Sequence, residues 1–362
     1  MIPCDVLLAG GRVGAGTRYC GAVPGVVYEE QPLEATVPDL QAPGSWKRVP
    51  LSWRLDPLTG HSTRILSGVK LQPPTRPDLA ELTAKPSFCP FCAEHLERAT
   101  AEFPVEVTDD GRVRRGLAVV VPNVVAYATH SAVGIYDPGR HFVDLDELTA
   151  PVVGDALAAM LHHARAVRRV DPTAVWGSIN ANYLPPAGSS LVHPHLQSAH
   201  DSCGTTAQRQ LVRASAAWAD TRSFWHELVT DEEHGPRWVG RLGRVAWLTP
   251  FAPMGFHEVW AVINDAHDLT DLDDADAAAL GDGLSRVLAT YRQWNLTSFN
   301  FALFGGGPAP EHQRYHVLLK VVSRSNAEPL YRSDATFFER LHDEAMIDLS
   351  PEEVAAEVRS GF

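Results

Sequence analysis

The stretch Ser189-Ser190-Leu191-Val192-His193-Pro194-His195-Leu196-Gln197 decides how the rest of the chain is read. Two imidazoles one residue apart, followed by a carboxamide, suit a strand better than a helix. Residues i, i+2 and i+4 of a strand share a face, so His193, His195 and Gln197 point the same way. Pro194 has no N–H to give a sheet ladder, which predicts an edge strand or a strand end, where a small ligand can approach. A bare His-x-His is as often a surface loop as a site, so its surroundings have to decide.

Immediately upstream, 176–182 reads as a strand, and Pro185-Pro186-Ala187-Gly188 as the loop that delivers the histidines. Before these come a strand at 132–136 and a long amphipathic helix at 145–170, and 205–229 reads as helical again. The second half repeats the plan. His257-Glu258-Val259-Trp260 and His267 stand where His130 and His141 stand in the first half. An Ala/Leu-rich helix at 274–294 and a strand at 298–304 follow, then a strand with His316 and Leu318 at the places of His193 and His195. Order, spacing and flanking residues agree, so the chain reads as a tandem duplication in which only the first copy keeps both histidines.

Further out, Cys89-Pro90-Phe91-Cys92 has the spacing that puts two thiolates on one metal. Tetrahedral zinc needs two more ligands; His141 and His193 are candidates, with His130 as an alternative, against the structural reading of a tight turn with two buried thiols. A zinc-bound His193 would fix the strand and leave His195 facing a substrate. Strands are expected at 105–107 and 116–121, turning at Asp109-Asp110-Gly111, and a strand pair over 48–65, turning at Asp56-Pro57-Leu58-Thr59-Gly60. A Pro-rich linker spans 72–77. Gly10-Gly11-Arg12-Val13-Gly14-Ala15-Gly16 lacks the Lys-Ser/Thr ending of a P-loop and the GxGxxG register, and reads as flexible.

The 362 residues suffice for two or three core-forming units. A net charge of -13 disfavours a nucleic-acid polymer as partner, while leaving room for a small anionic ligand held by local donors. No apolar run reaches the length of a membrane span, and the first residues lack a secretory pattern. Five cysteines, an odd number, argue against a disulfide framework, so a cytoplasmic protein is expected. Cys4, Cys20 and Cys203 are isolated.

Gln197 gives the chemistry its direction. A glutamine takes up no proton at neutral pH, but it donates a hydrogen bond to a phosphoryl oxygen. That suits transfer through a covalent phosphoramidate on His195 more than hydrolysis, which wants a second base. Ser190 and the backbone N–H groups around Gly188 and Ser189 are placed to bind phosphate oxygens.

These motifs together resemble the galactose-1-phosphate uridylyltransferase-like branch of the histidine-triad superfamily, which includes nucleoside-diphosphate-sugar phosphorylases and lies near diadenosine tetraphosphate phosphorylase. The resemblance spans roughly residues 48–360. It rests on Asp56-Pro-Leu-Thr-Gly with Arg76-Pro77, on Cys89-Pro-Phe-Cys92, and on Pro138-Gly-Arg-His141. It rests further on Asn182…Gly188-Ser189-Ser190-x-x-His193-Pro-His195-x-Gln197, on Phe251-Ala-Pro…His257-Glu-Val-Trp260, and on the closing 348–359 segment. It implies an α+β fold of two histidine-triad-like repeats with antiparallel sheets and long helices. The expected division is 1–45 irregular, 46–204 the first repeat, and 205–362 the second repeat without a complete His-x-His. It implies a homodimer and one structural zinc on Cys89, Cys92, His141 and His193. His195 becomes nucleotidylated, Gln197 and Ser190 hold the phosphoryl group, and Asn182, Gly188, Ser189 and Arg76 bind substrate.

The implied reaction is ping-pong nucleotidyl transfer from a nucleoside diphosphate sugar, or a related dinucleoside polyphosphate, to a sugar-1-phosphate or inorganic phosphate. A hydrolase and an inactive zinc-containing binding protein are the rivals. The chain departs from its relatives in two places. Leu318 replaces the last histidine of their second metal site and no glutamate follows Gln197 at the expected distance, so a second metal is expected to be absent. Asp334 and Met346 stand where galactose-specific relatives have Lys and Gln, which points away from galactose.

Overall fold

The chain runs in order through strands β1 (Thr17–Arg18), β2 (Glu29–Pro38), β3 (Trp46–Leu55) and β4 (Ser62–Ile65), then a short helix α1 (Ala93–Ala99) directly after the cysteine pair. Strands β5 (Val113–Arg115), β6 (Ala118–Pro122) and β7 (His130–Ile135) lead to the long helix α2 (Ala150–Val170), and β8 (Trp176–Tyr183) and β9 (His195–Asp201) follow. After helices α3 (Thr206–Ala217) and α4 (Phe224–Glu232) the plan recurs as β10 (Trp238–Leu242), β11 (Val245–Leu248), β12 (Val259–Ile263), α5 (Asp274–Gln293), β13 (Ser298–Phe304) and β14 (Val317–Arg324); β15 (Ala345–Ile347) and α6 (Pro351–Arg359) close it. The structure is a computed structural model that describes residues 17–18, 25–66, 75–307, 310–329 and 333–362. The glycine-rich segment 10–16, Cys4, Cys20 and the start of the 72–77 linker lie outside these residues.

The duplication is visible as a single ten-stranded sheet in the order β10-β11-β12-β14-β13-β8-β9-β7-β6-β5. Read outward from the antiparallel β8–β13 pair at its centre, the two halves match strand for strand. Strand β9 is therefore an interior strand between β8 and β7, not an edge. Pro194 is tolerated because it stands one residue ahead of the ladder, at the strand end rather than within it.

Helices α2 and α5 pack side by side on one face of this sheet. Helix α2 starts late, after a single 3-10 turn at Leu145–Glu147, because Pro151 suits the first helical turn with Thr149 at the N-cap. Its Val153, Leu157, Met160, Leu161 and Ala164 meet Leu280, Leu284, Val287 and Leu288 of α5 and the strand residues beneath in one core. The helices approach closely at Gly154 and Gly281, where a Cβ on Gly281 would stand 2.5 Å from the Gly154 nitrogen.

The opposite face packs against α3 and α4 at one side and the cysteine pair at the other, and carries polar side chains at its centre. Directly opposed residues share a face, so the ladder aligns Gln197, Asn180, Ala302 and Lys320 in one row across β9, β8, β13 and β14. The neighbouring row holds His195, Asn182 and Asn300. A separate five-stranded sheet, β1-β2-β3-β4-β15, is antiparallel except where β15 joins β4 in parallel.

Several local expectations give way. Residues 105–107 form a turn; the hairpin is instead β5–β6, turning at Gly116 with φ +50°. The segment 205–229 is two helices, separated by 218–223. Glu29–Pro38, inside the stretch expected to be irregular, is a ten-residue strand paired along its whole length with β3. Strands β3 and β4 belong to the small sheet rather than to the first repeat's sheet. Among the described residues no helix is long and apolar enough to cross a membrane.

Two histidines are buried between α2 and the sheet. His163 and His200 have ring centroids 5.6 Å apart, and neither His163 Nδ1 nor His200 Nε2 has a hydrogen-bond partner. Burial, and then the neighbouring His200, pushes His163 down to about 3; burial pushes His200 down to about 4. Both are neutral in the folded protein at pH 7. Their unfolded values lie near 6.5, so below that pH the unfolded chain binds more protons and stability falls until the folded values are reached. The prediction is that wild type loses about 2 kcal/mol more than His163→Leu between pH 7 and pH 5, measured by urea unfolding. Equal losses would contradict it.

Candidate active site

Three separate segments meet at the cysteine pair. Cys89 and Cys92 flank the turn into α1, the 137–141 loop brings His141, and the residues ahead of β9 bring His193. The Ala93 N–H donates to the Pro138 carbonyl at 2.9 Å, locking the first two segments together. The ligand atoms of Cys89, Cys92, His141 and His193 all lie within 4.8 Å of one another, and this group could hold a metal ion. Cys89 Sγ and Cys92 Sγ each stand 3.6 Å from His193 Nδ1, and Cys92 Sγ is 3.5 Å from His141 Nδ1. Zinc bonds of 2.3 Å to sulfur and 2.0–2.1 Å to nitrogen, set tetrahedrally, give a sulfur–nitrogen edge of about 3.6 Å. The three sulfur–nitrogen distances match that edge.

The protonation states agree. His193 Nε2 is 3.0 Å from the Asp137 carbonyl and must donate to it, which leaves the Nδ1 lone pair for a ligand bond. Burial pushes His193 down to about 4, so it is neutral. Burial, and then the Cys89 charge, pushes the Cys92 thiol up to about 11; a divalent cation at the site reverses that preference. His130, the alternative ligand, is elsewhere: it pairs with Asp171 at 2.9 Å and sits opposite His200.

His195 opens β9, 9% exposed. Its Nδ1 is 2.8 Å from the carbonyl oxygen of His193 and donates to it, so Nε2 carries the lone pair. Burial holds its pKa below the usual histidine value, partly offset by that hydrogen bond. A neutral imidazole with one nitrogen anchored and the other unprotonated is a nucleophile in waiting. Phe91, between the two cysteines, packs edge-on against His195 with centroids 5.2 Å apart and also touches His193.

The remaining sequence-predicted residues divide. Asn182, on the same face as His195, and half-buried Gln197 border this site. In the preceding loop Gly188 has φ +92°, and Leu184, a buried non-glycine, has φ +66° and ψ 164°, a region that glycine alone occupies without strain. Ser189 turns its hydroxyl to the Leu191 carbonyl at 2.6 Å, while Gly188 and Ser190 are exposed. Arg76 is tied into an ion pair. Its guanidinium makes two bonds to Asp144, at 2.7 and 2.6 Å, and one to the Leu296 carbonyl at 2.8 Å, joining the repeats.

A cleft of about 650 Å³ extends from Asn180 and Asn182 over the second repeat, lined by Phe256, Asn300, Lys320 and Arg324. Sequence reasoning missed these second-repeat residues, and Phe91. Their signal was the duplication itself, since β13 and β14 had to lie beside β8. Asp334 and Met346 line the same cleft. A second donor group stands outside it. The broken family motif pointed to no second metal, but His226, Asp265 and His316 gather with ligand atoms within 4.8 Å, and His267 lines the same depression.

No family profile matches the sequence. An uncharacterized protein of Archaeoglobus fulgidus is 28% identical over 309 residues, covering 84% of this chain and 91% of that protein. Among solved structures, ADP-glucose phosphorylase from Arabidopsis thaliana with bound ADP-glucose superposes with a TM-score of 0.64 at 17% identity, covering 85% of this chain and 98% of that one. A uridylyltransferase superposes with a TM-score of 0.62 at 21% identity, covering 85% and 97%. The chain therefore shares the α+β fold of these two structures.

The purified protein is expected to hold a divalent metal at the cysteine pair. Cys92→Ser should lower the content by one equivalent per chain, together with the thermal midpoint, in elemental analysis and thermal unfolding. Wild-type metal content in the variant would contradict the assignment.

Proposed function

We propose that the protein is a nucleotidyltransferase that acts on a nucleoside diphosphate sugar through a covalent nucleotidyl-His195. The observation that carries this reading is the tautomer of His195: Nδ1–H is committed to the His193 carbonyl, and Nε2 is left as the attacking atom. The unprotonated Nε2 attacks the α-phosphorus. The P–N bond forms as the bond to the sugar phosphate breaks, and the sugar phosphate leaves with the electron pair. The positive charge that develops on the ring is stabilised by the Nδ1–H bond to the carbonyl. A phosphate oxygen of the acceptor, a sugar-1-phosphate or inorganic phosphate, then attacks the same phosphorus, and the neutral imidazole is regenerated.

Gln197 and Asn182 supply carboxamide N–H groups to the phosphoryl oxygens, with Ser190 and the backbone around Gly188 and Ser189. Neither carboxamide can activate water as a base, which favours transfer over hydrolysis. Zinc held by Cys89, Cys92, His141 and His193 would serve as a closed structural site. These residues fix the His193 carbonyl on which His195 rests. The cleft beside Asn182 is the place for the sugar, and the ADP-glucose bound to the structural neighbour supports a nucleotide sugar as the substrate class. A homodimer, a cytoplasmic location with reduced cysteines, and a working division into repeats 46–204 and 205–362 belong to the same reading.

Brief incubation with UDP-, ADP-, GDP-, CDP- and dTDP-sugars separately, followed by intact-protein mass spectrometry, tests it. One donor should add the mass of a nucleoside monophosphate in an acid-labile bond. His195→Ala should fold, add nothing and lose turnover by about a thousandfold or more. Wild-type turnover in that variant would refute the assignment.

A further inference from the structure

Asn182 is the substrate-side carboxamide closest in register to His195. Ala181 pairs with Leu196 and Asn180 with Gln197, so Asn182 stands across the β8–β9 ladder from His195 on the same face. Which end of its carboxamide faces the reacting group is not set by the first repeat. It is set by Asn300 of β13, whose Nδ2 donates to Asn182 Oδ1 at 2.7 Å and to the Ala187 carbonyl at 2.9 Å, with the Ala181 carbonyl 3.1 Å away. With its oxygen so engaged, Asn182 turns its NH2 toward the loop, where a Cβ on Gly188 would lie 3.9 Å from Asn182 Nδ2. That NH2 has no protein acceptor among the described residues.

Asn300 is itself oriented from the other side. Its Oδ1 accepts from Arg324 Nη1 at 2.5 Å, and Arg324 Nε and Nη2 each donate to Asp334, both at 2.6 Å. A reversed Asn300 amide would set its oxygen against the carbonyls of Ala181 and Ala187 and its NH2 against a guanidinium. The donor and acceptor inventory therefore allows one orientation. The same Nδ2 that turns Asn182 also holds the carbonyl of Ala187, inside the loop strained at Leu184.

We propose that Asn300 and Arg324 of the second repeat are positioning residues. The series Asp334–Arg324–Asn300 aims the Asn182 NH2, and holds the 184–188 loop, at the phosphoryl group carried by His195. The inference rests on the transfer reading for its chemistry, while the orientation of Asn182 stands apart from it. It also gives the second repeat, which lacks the paired histidines, a task at the first repeat's site. All four residues line the cleft, so a sugar bound there lies directly on the series.

A double-mutant cycle on the rate of His195 labelling at saturating donor is the test. Asn300→Ala should slow labelling roughly 10²-fold, with metal content unchanged. Asn182→Ala should slow it by a similar factor, and the double variant should be no slower than Asn182→Ala alone, because one residue acts through the other. Wild-type labelling in Asn300→Ala, or losses that multiply, would overturn the proposal. Asn300→Ser provides the same comparison if the alanine variant is unstable. A crystal structure of Asn300→Ala reads the orientation without substrate: the Asn182 carboxamide should turn and the 184–188 loop should relax. An unmoved Asn182 overturns the positioning role whatever the labelling shows. Failure of wild type to label with any donor, beside a turned Asn182, would refute the transfer reading and leave the positioning role supported.

Discussion

A single hydrogen bond, from His195 Nδ1 to the carbonyl oxygen of His193, decides what this site can do. It sets the tautomer of the imidazole and so selects the nitrogen that keeps its lone pair. A backbone carbonyl can do this reliably only if its own residue cannot turn. His193 is held at both ring nitrogens, Nε2 on the Asp137 carbonyl and Nδ1 among the two cysteines and His141. The four candidate metal ligands would therefore act on the proposed reaction at one remove. They fix a peptide group, and the peptide group fixes the His195 imidazole. Burial of both rings reinforces the arrangement by keeping them neutral.

The ten-stranded sheet explains why a duplicated chain serves one such centre. Its helical face is a continuous apolar core in which α2 and α5 pack directly on each other. The centre of its other face carries polar groups between two smaller apolar clusters, and the central β8–β13 pairing brings Asn182 of one repeat beside Asn300 of the other. The first repeat keeps the paired histidines, while the second contributes the cleft wall and the hydrogen bonds that orient its neighbour. Loss of the second copy's histidine pair at Leu318 is compatible with this division, because Leu318 is fully buried in an apolar cluster with Trp225, Trp260 and Tyr315, whereas Lys320 and Arg324 further along the same strand line the cleft.

Much of this was legible in the sequence, because the signals were local or periodic. The period-2 pattern around His193 and His195 located β9, the cysteine spacing located the candidate metal group, and the repeated order of elements foretold two matching halves, though not their union in one sheet. What was lost was non-local. Nothing near Pro194 says that β9 lies inside a sheet, since that depends on β7 arriving from 60 residues upstream in the ladder His130–His200 to Ile135–His195. The ion pair of Arg76 is equally non-local, since its guanidinium meets Asp144, a partner 68 residues away. The His226, Asp265 and His316 group escaped because its members come from a helix, a turn and a strand approach with no shared spacing. Val105 and Val107 had strand-like residues but no strand to pair with, and they form a turn instead.

The central claim is that Nε2 of His195 is the atom that carries the nucleotide. Phosphorus–nitrogen correlation NMR on histidine-15N-labelled protein, trapped with its donor, reads that atom directly. The account predicts one phosphorus coupled to the Nε2 of His195, with Nδ1 still protonated and hydrogen-bonded. Phosphorus on Nδ1, or on any other residue, would contradict it.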